Sequence, residues 1–353
     1  MTLSLAGLDF ELLVCIFGVC NVAALASLAS TSKLIKNASD KRRGKLAALK
    51  NIPFNVKELQ FANLRIDIVT FADAVKQTYD NPVCPLLSLE QLKINGKPES
   101  FNKQLEIKWP CMFFNETAPI GNAGLAALAS AWFSGSLGNL QVLWLTNNKI
   151  GDAGMASLSN AVASGSLGNL VTLDLRANQI GDAGMAAFAG AIASRSRSKL
   201  QELRLGGNQI GNAGMTALAA AITSGSPGTL QTLNLSYNHI GDEGLNAFAS
   251  AIASGSLVNL EGLHLRRNQI GDSGMIELSR AIANKSMANL TTLWLQENNI
   301  GDEGLKALAS AIASGSLASV RFIRVDSNQA SETGKKQMRD AARARGFKCC
   351  GLE

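Results

Sequence analysis

The residue types that most often carry catalysis or bind metals are scarce in this sequence. Of its 353 residues only two are histidines, His239 and His264. They fall in different copies of an internal repeat, so neither a metal cluster nor a nucleophile–histidine–carboxylate triad suggests itself. The glycines separate strands from helices, and no Gly-Lys-Ser/Thr sequence follows them to bind a phosphate. The sequence therefore predicts a protein that is not an enzyme and needs neither metal nor cofactor.

The cysteines do not form a functional pattern either. None lies between residues 112 and 348, and no two have the spacing of a zinc site. A set of structural disulfides would be spread over the whole chain, which this set is not. We therefore expect reduced thiols and a cytoplasmic or nuclear location. The six are Cys15, Cys20, Cys84, Cys111, Cys349 and Cys350.

A 30-residue unit repeats seven times in the second part of the chain. Each copy carries the pattern L-x-x-L-x-L-x-x-N-x-I, with small changes in the last copy. This is the leucine-rich-repeat pattern, and it predicts a solenoid. Solenoids present one continuous surface, which favours binding over chemistry. The first residues of the seven copies are Leu140, Leu170, Leu200, Leu230, Leu260, Leu290 and Val320.

Each part of the unit has a physical explanation. Leu143 and Leu145 alternate with other residues in the period-two pattern of a strand that is buried on one side. Asn148 and its equivalents end each strand, where an amide can pair backbone groups that the turn leaves free. Asp152 and its equivalents are expected to cap the helix that they begin. In that helix apolar residues three and four apart face the strand.

The Gly-Asp-x-Gly start and the Ala-rich helix resemble the ribonuclease-inhibitor class of leucine-rich repeats over about 120–353. The resemblance implies an α/β fold, a horseshoe with an inner parallel sheet and an outer row of helices. In the last unit Val320, Ile323 and Val325 replace leucines and the helix is charged, as a terminal cap requires.

Comparison of the copies separates the scaffold from a variable surface. Strand positions opposite the leucines carry aromatic and arginine side chains in several copies, and these types anchor interfaces. Neutral drift of exposed positions is the alternative. We predict a protein-binding face that contains Trp144, Arg176, Arg204, Tyr237, His264, Arg266, Trp294 and Arg324.

The N-terminal segment has two apolar helical stripes, one over 12–17 and one over 25–34. This segment resembles an F-box, which docks onto the Skp-type adaptor of cullin–RING ubiquitin ligases. It departs from that motif at Asp9, where proline is usual, and at Cys20, where leucine is usual. The resemblance implies a small all-α module at 5–45 that precedes the horseshoe. It also implies adaptor contacts by Leu8, Leu12, Ile16, Phe17, Leu25 and Leu28.

Two other interpretations of this segment stay open. No charged residue occurs over 12–32, which is long enough for a membrane helix. However, Asp9 and Glu11 stand where a signal peptide or anchor carries positive charge, so we expect no membrane association. The segment is alternatively a plain helical cap of the solenoid. Between it and the clean repeats, residues 46–119 are interpreted as degenerate leading repeats and an irregular joint, with 120–353 as the regular array.

Together these patterns predict a substrate receptor of a cullin–RING ubiquitin ligase. The F-box would hold the adaptor and through it a cullin, and the horseshoe would bind a protein substrate as a monomer within that complex. A free-standing scaffold, such as a sensor or a GTPase regulator, is the alternative. The net charge of +6 is too small and too divided between segments to predict a nucleic-acid partner.

Overall fold

The computed structural model describes residues 2–4, 58–60, 91–93, 119–133, 140–194, 198–225, 227–284 and 287–350. Within these residues eleven three-residue strands form one parallel sheet, in which each strand pairs with the next in chain order. The strands are β1 (Thr2–Ser4), β2 (Glu58–Gln60), β3 (Gln91–Lys93), β4 (Val142–Trp144), β5 (Thr172–Asp174), β6 (Glu202–Arg204), β7 (Thr232–Asn234), β8 (Gly262–His264), β9 (Thr292–Trp294), β10 (Phe322–Arg324) and β11 (Lys348–Cys350).

From β4 to β10 each strand is followed by a helix that returns the chain along one side of the sheet. Neighbouring helices contact one another in chain order, as neighbouring strands do. The predicted leucine-rich-repeat solenoid is therefore confirmed. The helices are α1 (Gly121–Phe133), α2 (Asp152–Ser164), α3 (Asp182–Ala193), α4 (Asn212–Thr223), α5 (Asp242–Ala253), α6 (Asp272–Ala283), α7 (Asp302–Ala313) and α8 (Glu332–Arg345).

The core lies between the sheet and the row of helices. The middle residue of every strand from β4 to β10 is a fully buried leucine or isoleucine, and these residues are paired in register across the sheet. From the helix side Met155 and Leu158 of α2 close the same layer, and the side chain of Trp132 in α1 is also fully buried. Each buried leucine contributes about 1.5–3 kcal/mol, so the array is stabilised layer by layer.

The asparagine at the end of each strand forms the expected ladder. The Asn178 amide oxygen accepts from the backbone N–H of Asn148 at 2.9 Å and of Ile150 at 3.0 Å, both in the preceding repeat. Its amide nitrogen donates to the carbonyl oxygens of Leu145 and Leu175, both at 2.9 Å. One side chain thus satisfies backbone groups of two repeats, and the predicted role of this position is confirmed.

The predicted role of Asp152 as the cap of its own helix is wrong. The N-cap of α2 is Gly151, which has no side chain to cap the helix. The Asp152 carboxylate instead accepts from the backbone N–H of Gly181 at 2.7 Å and of Gly184 at 2.9 Å, at the start of the next helix. Adjacent helices begin side by side, so the first residue of one helix reaches the free N–H groups of the next.

Glycine at the third helical position is needed for this cap. A Cβ atom on Gly184 would lie 2.6 Å from Oδ1 of Asp152, which is closer than real side chains approach. The same contact recurs along the array, with asparagine in two copies, and at the last helix Asp302 accepts from Ser331 instead. The other donor–cap pairs are Gly151 with Asn122, Gly211 with Asp182, Gly241 with Asn212, Gly271 with Asp242 and Gly301 with Asp272.

Three short strands extend the sheet into the N-terminal part of the chain. Leu59 of β2 and Leu92 of β3 lie in register with Leu143 of β4, which extends the leucine row of the core. β1 pairs with β2 in parallel. Residues 5–45, including the predicted adaptor contacts, lie outside the described residues. Among the helices that are described, none has the length and apolar character needed to span a membrane.

Candidate functional site

The face of the sheet opposite the helices, here called the open face, carries all eight residues that the sequence predicted for binding. Alternate strand positions are buried toward the helices, and the residues between them point away from the core. The eight do not form one site. Trp144 on β4 and Arg324 on β10 are separated by five strands of the sheet. The others fall into two groups.

The first group is an ion-pair cluster on β5 and β6. The Arg176 guanidinium donates to the Asp174 carboxylate through Nε at 2.9 Å and through Nη2 at 2.6 Å. Arg204 donates to Glu202 at 2.7 Å, and its Nη1 lies 3.8 Å from Asp174 Oδ2. The hydrogen bond to Asp174 raises the pKa of Arg176. Because Asp174 is only 1% exposed, both arginines are needed to compensate a buried negative charge.

The second group begins with a stacked pair of rings. The rings of His264 and Trp294 lie with their centroids 4.0 Å apart and their planes 12° from parallel. The imidazole Nε2 is 3.5 Å from the hydroxyl of Thr292. It is also 3.6 Å from the place that a Cβ atom on Gly262 would occupy. The ring therefore lies over Gly262, the one glycine of its column among the described strands.

The imidazole of His264 is held neutral. Burial and, to a smaller degree, the positive charge of Arg204 together lower its pKa from the ordinary 6.5 to about 4. At neutral pH the stack is therefore an uncharged aromatic surface on the open face.

Tyr237 lies beside two arginines. The guanidinium carbon of Arg266 is 5.0 Å from the centre of the tyrosine ring, and that of Arg267 is 5.2 Å from it. Both distances are within the range of cation–π attraction. Arg266 also donates from Nε to the carboxylate of Glu297 at 2.7 Å. We name the second group the aromatic–arginine patch: Tyr237, His264, Arg266, Arg267, Trp294 and Glu297.

Three residues of the patch have a backbone conformation that favours glycine. The φ angles are +58° at Tyr237, +52° at Arg267 and +57° at Glu297. The equivalent position in the repeat before them is Gly207, with φ of +71°. A left-handed residue with a side chain is less stable by about 1–2 kcal/mol. Asn147, Ala177 and Ser327 share this conformation, so it belongs to the turn of the repeat, and only the large side chains are particular to these three consecutive repeats.

Two buried polar side chains adjoin the patch without hydrogen-bond partners among the described residues. Gln296, which is 1% exposed, precedes Glu297, and neither its amide oxygen nor its amide nitrogen has a partner. The hydroxyl of Ser236, next to Tyr237, is likewise unpaired and buried. An unpaired buried polar group lowers stability by about 1–3 kcal/mol. The patch therefore carries unused donors and acceptors beneath its aromatic surface.

Some of these residues could not be found from sequence alone. Asp174 and Gln296 occupy positions opposite the leucines that vary between copies of the repeat, but only the structure shows that they are buried. In the sequence Gly262 is one more position that varies between copies. Only the structure shows that the His264 imidazole lies next to it. No group of three or more His, Cys, Asp or Glu side chains in the described part of the chain is arranged to hold a metal.

The comparison with family models decides what the repeating units are. The Leucine Rich repeat model matches six segments, 139–159, 169–189, 198–219, 229–249, 257–279 and 286–309. These units are leucine-rich repeats. No F-box model matches the N-terminal segment of this leucine-rich-repeat chain. No curated protein matches the sequence.

Several solved structures resemble the chain at low identity. A protein from Bacteroides fragilis is 14% identical, with a TM-score of 0.42 over 83% of this chain and 73% of its own. The Arabidopsis receptor kinase HAESA, solved with the peptide hormone IDA and the co-receptor SERK1, is 14% identical, with a TM-score of 0.41 over 88% of this chain and 46% of its own. The ectodomain of the Arabidopsis thaliana receptor kinase GASSHO1/SCHENGEN3 is 16% identical, with a TM-score of 0.36 over 78% of this chain and 27% of its own. The chain thus spans less than half the length of either receptor.

Proposed function

We propose that the open face of the leucine-rich repeats binds a protein partner. The observation that carries this proposal is the aromatic–arginine patch. Tyrosine, tryptophan and arginine are the residues that anchor protein interfaces. The fold does not need them, because Ala177 and Gly207 occupy the position of Tyr237 in other repeats of the same architecture.

The scaffold suits this role because it holds the face in a fixed arrangement. The asparagine ladder and the carboxylate caps tie each repeat to the next by hydrogen bonds to the backbone. Side chains on the open face therefore keep their relative positions before a partner arrives. A preorganised surface binds more tightly, because less conformational freedom is lost on association.

The test is to compare the proteins retained by the full chain with those retained by the double variant Tyr237→Ala, Trp294→Ala. Partners of the open face should be lost from the double variant. Arg280 lies on the helix side of the array and is exposed, so Arg280→Ala provides a control that should retain them. A set of partners that is the same for all three proteins would contradict the proposal.

We infer further that the partner is a substrate and that the chain is a receptor subunit of a cullin–RING ubiquitin ligase. The support is the resemblance of 5–45 to an F-box, placed in one chain with leucine-rich repeats. In this role the receptor has no catalytic residue of its own. It raises the effective concentration of the substrate near a charged conjugating enzyme. The location would be cytoplasmic, nuclear or both.

A binding experiment with a purified Skp-type adaptor tests this second step. The full chain should retain the adaptor, and the variant Ile16→Asp, Phe17→Asp should not. The variant must keep the circular dichroism spectrum of the parent, so that lost binding reports the contact and not the fold. If the parent chain does not retain the adaptor, the ligase role is wrong and the chain is a free-standing binding scaffold.

A further inference from the structure

Charge distinguishes the aromatic–arginine patch from the rest of the open face. Elsewhere on the described part of that face each arginine has a carboxylate partner: Arg176 has Asp174, Arg204 has Glu202, and Arg324 has Asp326. The patch contains two arginines but only one carboxylate, that of Glu297. Arg266 forms an ion pair with it. Within the described residues Arg267 has no carboxylate partner. One positive charge on the patch is therefore unpaired.

Arg267 is exposed and also held in position. Its guanidinium group lies 5.2 Å from the centre of the Tyr237 ring, which leaves its hydrogen-bonding N–H groups free for a ligand. Guanidinium groups that stack on an aromatic ring keep the ability to bind a carboxylate with two parallel hydrogen bonds. Since the side chain is already held by the ring, it loses less freedom when a carboxylate binds.

The remainder of the patch suits the chain on either side of such a carboxylate. The neutral His264–Trp294 stack offers apolar surface. Gln296, two residues after Trp294 in the chain, is buried and keeps its amide unpaired among the described residues.

We propose that the aromatic–arginine patch binds an extended acidic segment of the partner protein. An Asp or Glu carboxylate pairs with Arg267, and the neighbouring residues lie against the His264–Trp294 stack. This inference rests on the proposed function, because it names the chemistry of the partner that the open face takes.

The test uses random peptides displayed on phage and selected on the immobilised full chain. The parent should enrich peptides that contain Asp or Glu. The variant Arg267→Glu should lose this preference and should enrich Lys or Arg instead. Glutamate is compatible with the backbone at this position, because Glu297 stands at the equivalent position with φ of +57°. Arg280→Glu changes the net charge equally on the helix side and should leave the selection unchanged.

Affinity measurements on one selected acidic peptide complete the test. Arg267→Glu should raise the Kd of the peptide by about tenfold or more, as expected for the loss of a charge-assisted pair on a partly exposed surface. Changing the peptide acid to lysine should restore binding to this variant.

Three results would overturn the inference, and they differ in what they say of the proposed function. If selection shows no acidic preference, or if Arg267→Glu and Arg280→Glu have equal effects, the inference is wrong and protein binding by the open face stands. If the selected peptides bind the Tyr237→Ala, Trp294→Ala variant as well as the parent, the open face is not the binding surface and both proposals are wrong. The same conclusion follows if the parent retains no peptide.

Discussion

Gly262 and His264 lie two residues apart on one strand, and the imidazole ring of His264 lies next to Gly262, which has no side chain. A Cβ atom on Gly262 would lie 3.6 Å from the imidazole Nε2 and 3.3 Å from the Thr292 hydroxyl. Both flanking strands carry threonine at this position, as Thr232 and Thr292. A Cβ atom alone would meet the ring at an ordinary contact distance, so it is the larger threonine side chain of the flanking strands that would crowd the imidazole.

We expect Gly262→Thr to separate the two rings while the repeat stays folded, because threonine already stands at this position on both sides. The chain has only two histidines, so NMR of the histidine ring protons can follow the change directly. The His264 signals should lose the ring-current shift that Trp294 imposes on them. Thr232→Ser, on the neighbouring strand, should leave those signals in place. An unchanged shift in Gly262→Thr would mean that the glycine does not position the ring.

The low pKa of His264 predicts a loss of stability in weak acid. Its folded pKa of about 4 lies below the ordinary value of 6.5, so the unfolded chain takes up the proton first as the pH falls. The stabilisation is complete above pH 6.5 and is lost between 6.5 and 4, by roughly 1–2 kcal/mol at pH 5. Denaturant unfolding of the parent and of His264→Gln over this interval measures it.

The relevant quantity is the difference between the two proteins, because carboxylates of the array titrate in the same interval. The free energy of unfolding should fall more steeply with decreasing pH in the parent than in His264→Gln. The cationic group that faces the imidazole is Arg204, and Arg204→Gln should raise the pKa of His264 slightly. Equal slopes in parent and His264→Gln would rule out the depressed pKa.

Removal of a carboxylate should weaken the helix that follows it and not the helix that it begins. Asp182 is the first residue of α3, and it accepts from Gly211 at 2.7 Å and from Gly214 at 2.8 Å at the start of α4. Asp182→Ala should reduce stability by about 1–2 kcal/mol, as the loss of a cap does. Hydrogen exchange should accelerate at the amides of Gly211 and Gly214.

Asp182→Asn is the matched control for this prediction. Asn212 forms the same pair of hydrogen bonds with Gly241 and Gly244 in the next repeat but one, so asparagine is compatible with the geometry. This variant should stay close to the parent in stability and in exchange at Gly211. If Asp182→Ala instead accelerates exchange in the first turn of α3, the cap acts within its own repeat.

The asparagine ladder should be more sensitive than the caps, because its bonds are buried. Asn208 accepts from the N–H of Ile180 at 3.1 Å and donates to the carbonyls of Leu175 at 3.0 Å and Leu205 at 2.9 Å. Asn208→Ala leaves these backbone groups unpaired, at about 1 kcal/mol or more for each. We expect a loss of about 2–4 kcal/mol in urea unfolding, whereas Gln209→Ala at the next, exposed position should have little effect.

The sequence predicted those parts of the fold that depend on one repeat alone. The alternation around Leu143 and Leu145 predicts which strand face is buried, because the pattern is complete within three residues of the chain. The role of Asn148 follows from the strand end that it occupies. Asp152 was misassigned because its partner is one repeat further on. Nothing within a single unit shows that two helices begin side by side.

The binding face could be predicted as a set of positions but not as an arrangement. His264 and Trp294 occupy positions that vary between copies of the repeat. Because they alternate with buried leucines, the sequence predicts that they point away from the core. Their contact depends on Gly262 and on the parallel register, which are relations between strands. The burial of Gln296 depends on its surroundings in the folded array, so a polar residue in a variable column gave no sign of it.

The cap that each helix receives from its neighbour determines which insertions the array can accept. A unit that is duplicated in tandem brings a carboxylate or amide for the helix after it and receives one from the unit before it. The duplicated copy therefore fits without any compensating change elsewhere. Gene duplication in steps of one unit can lengthen or shorten such a protein, while an insertion of part of a unit would separate the cap from its helix.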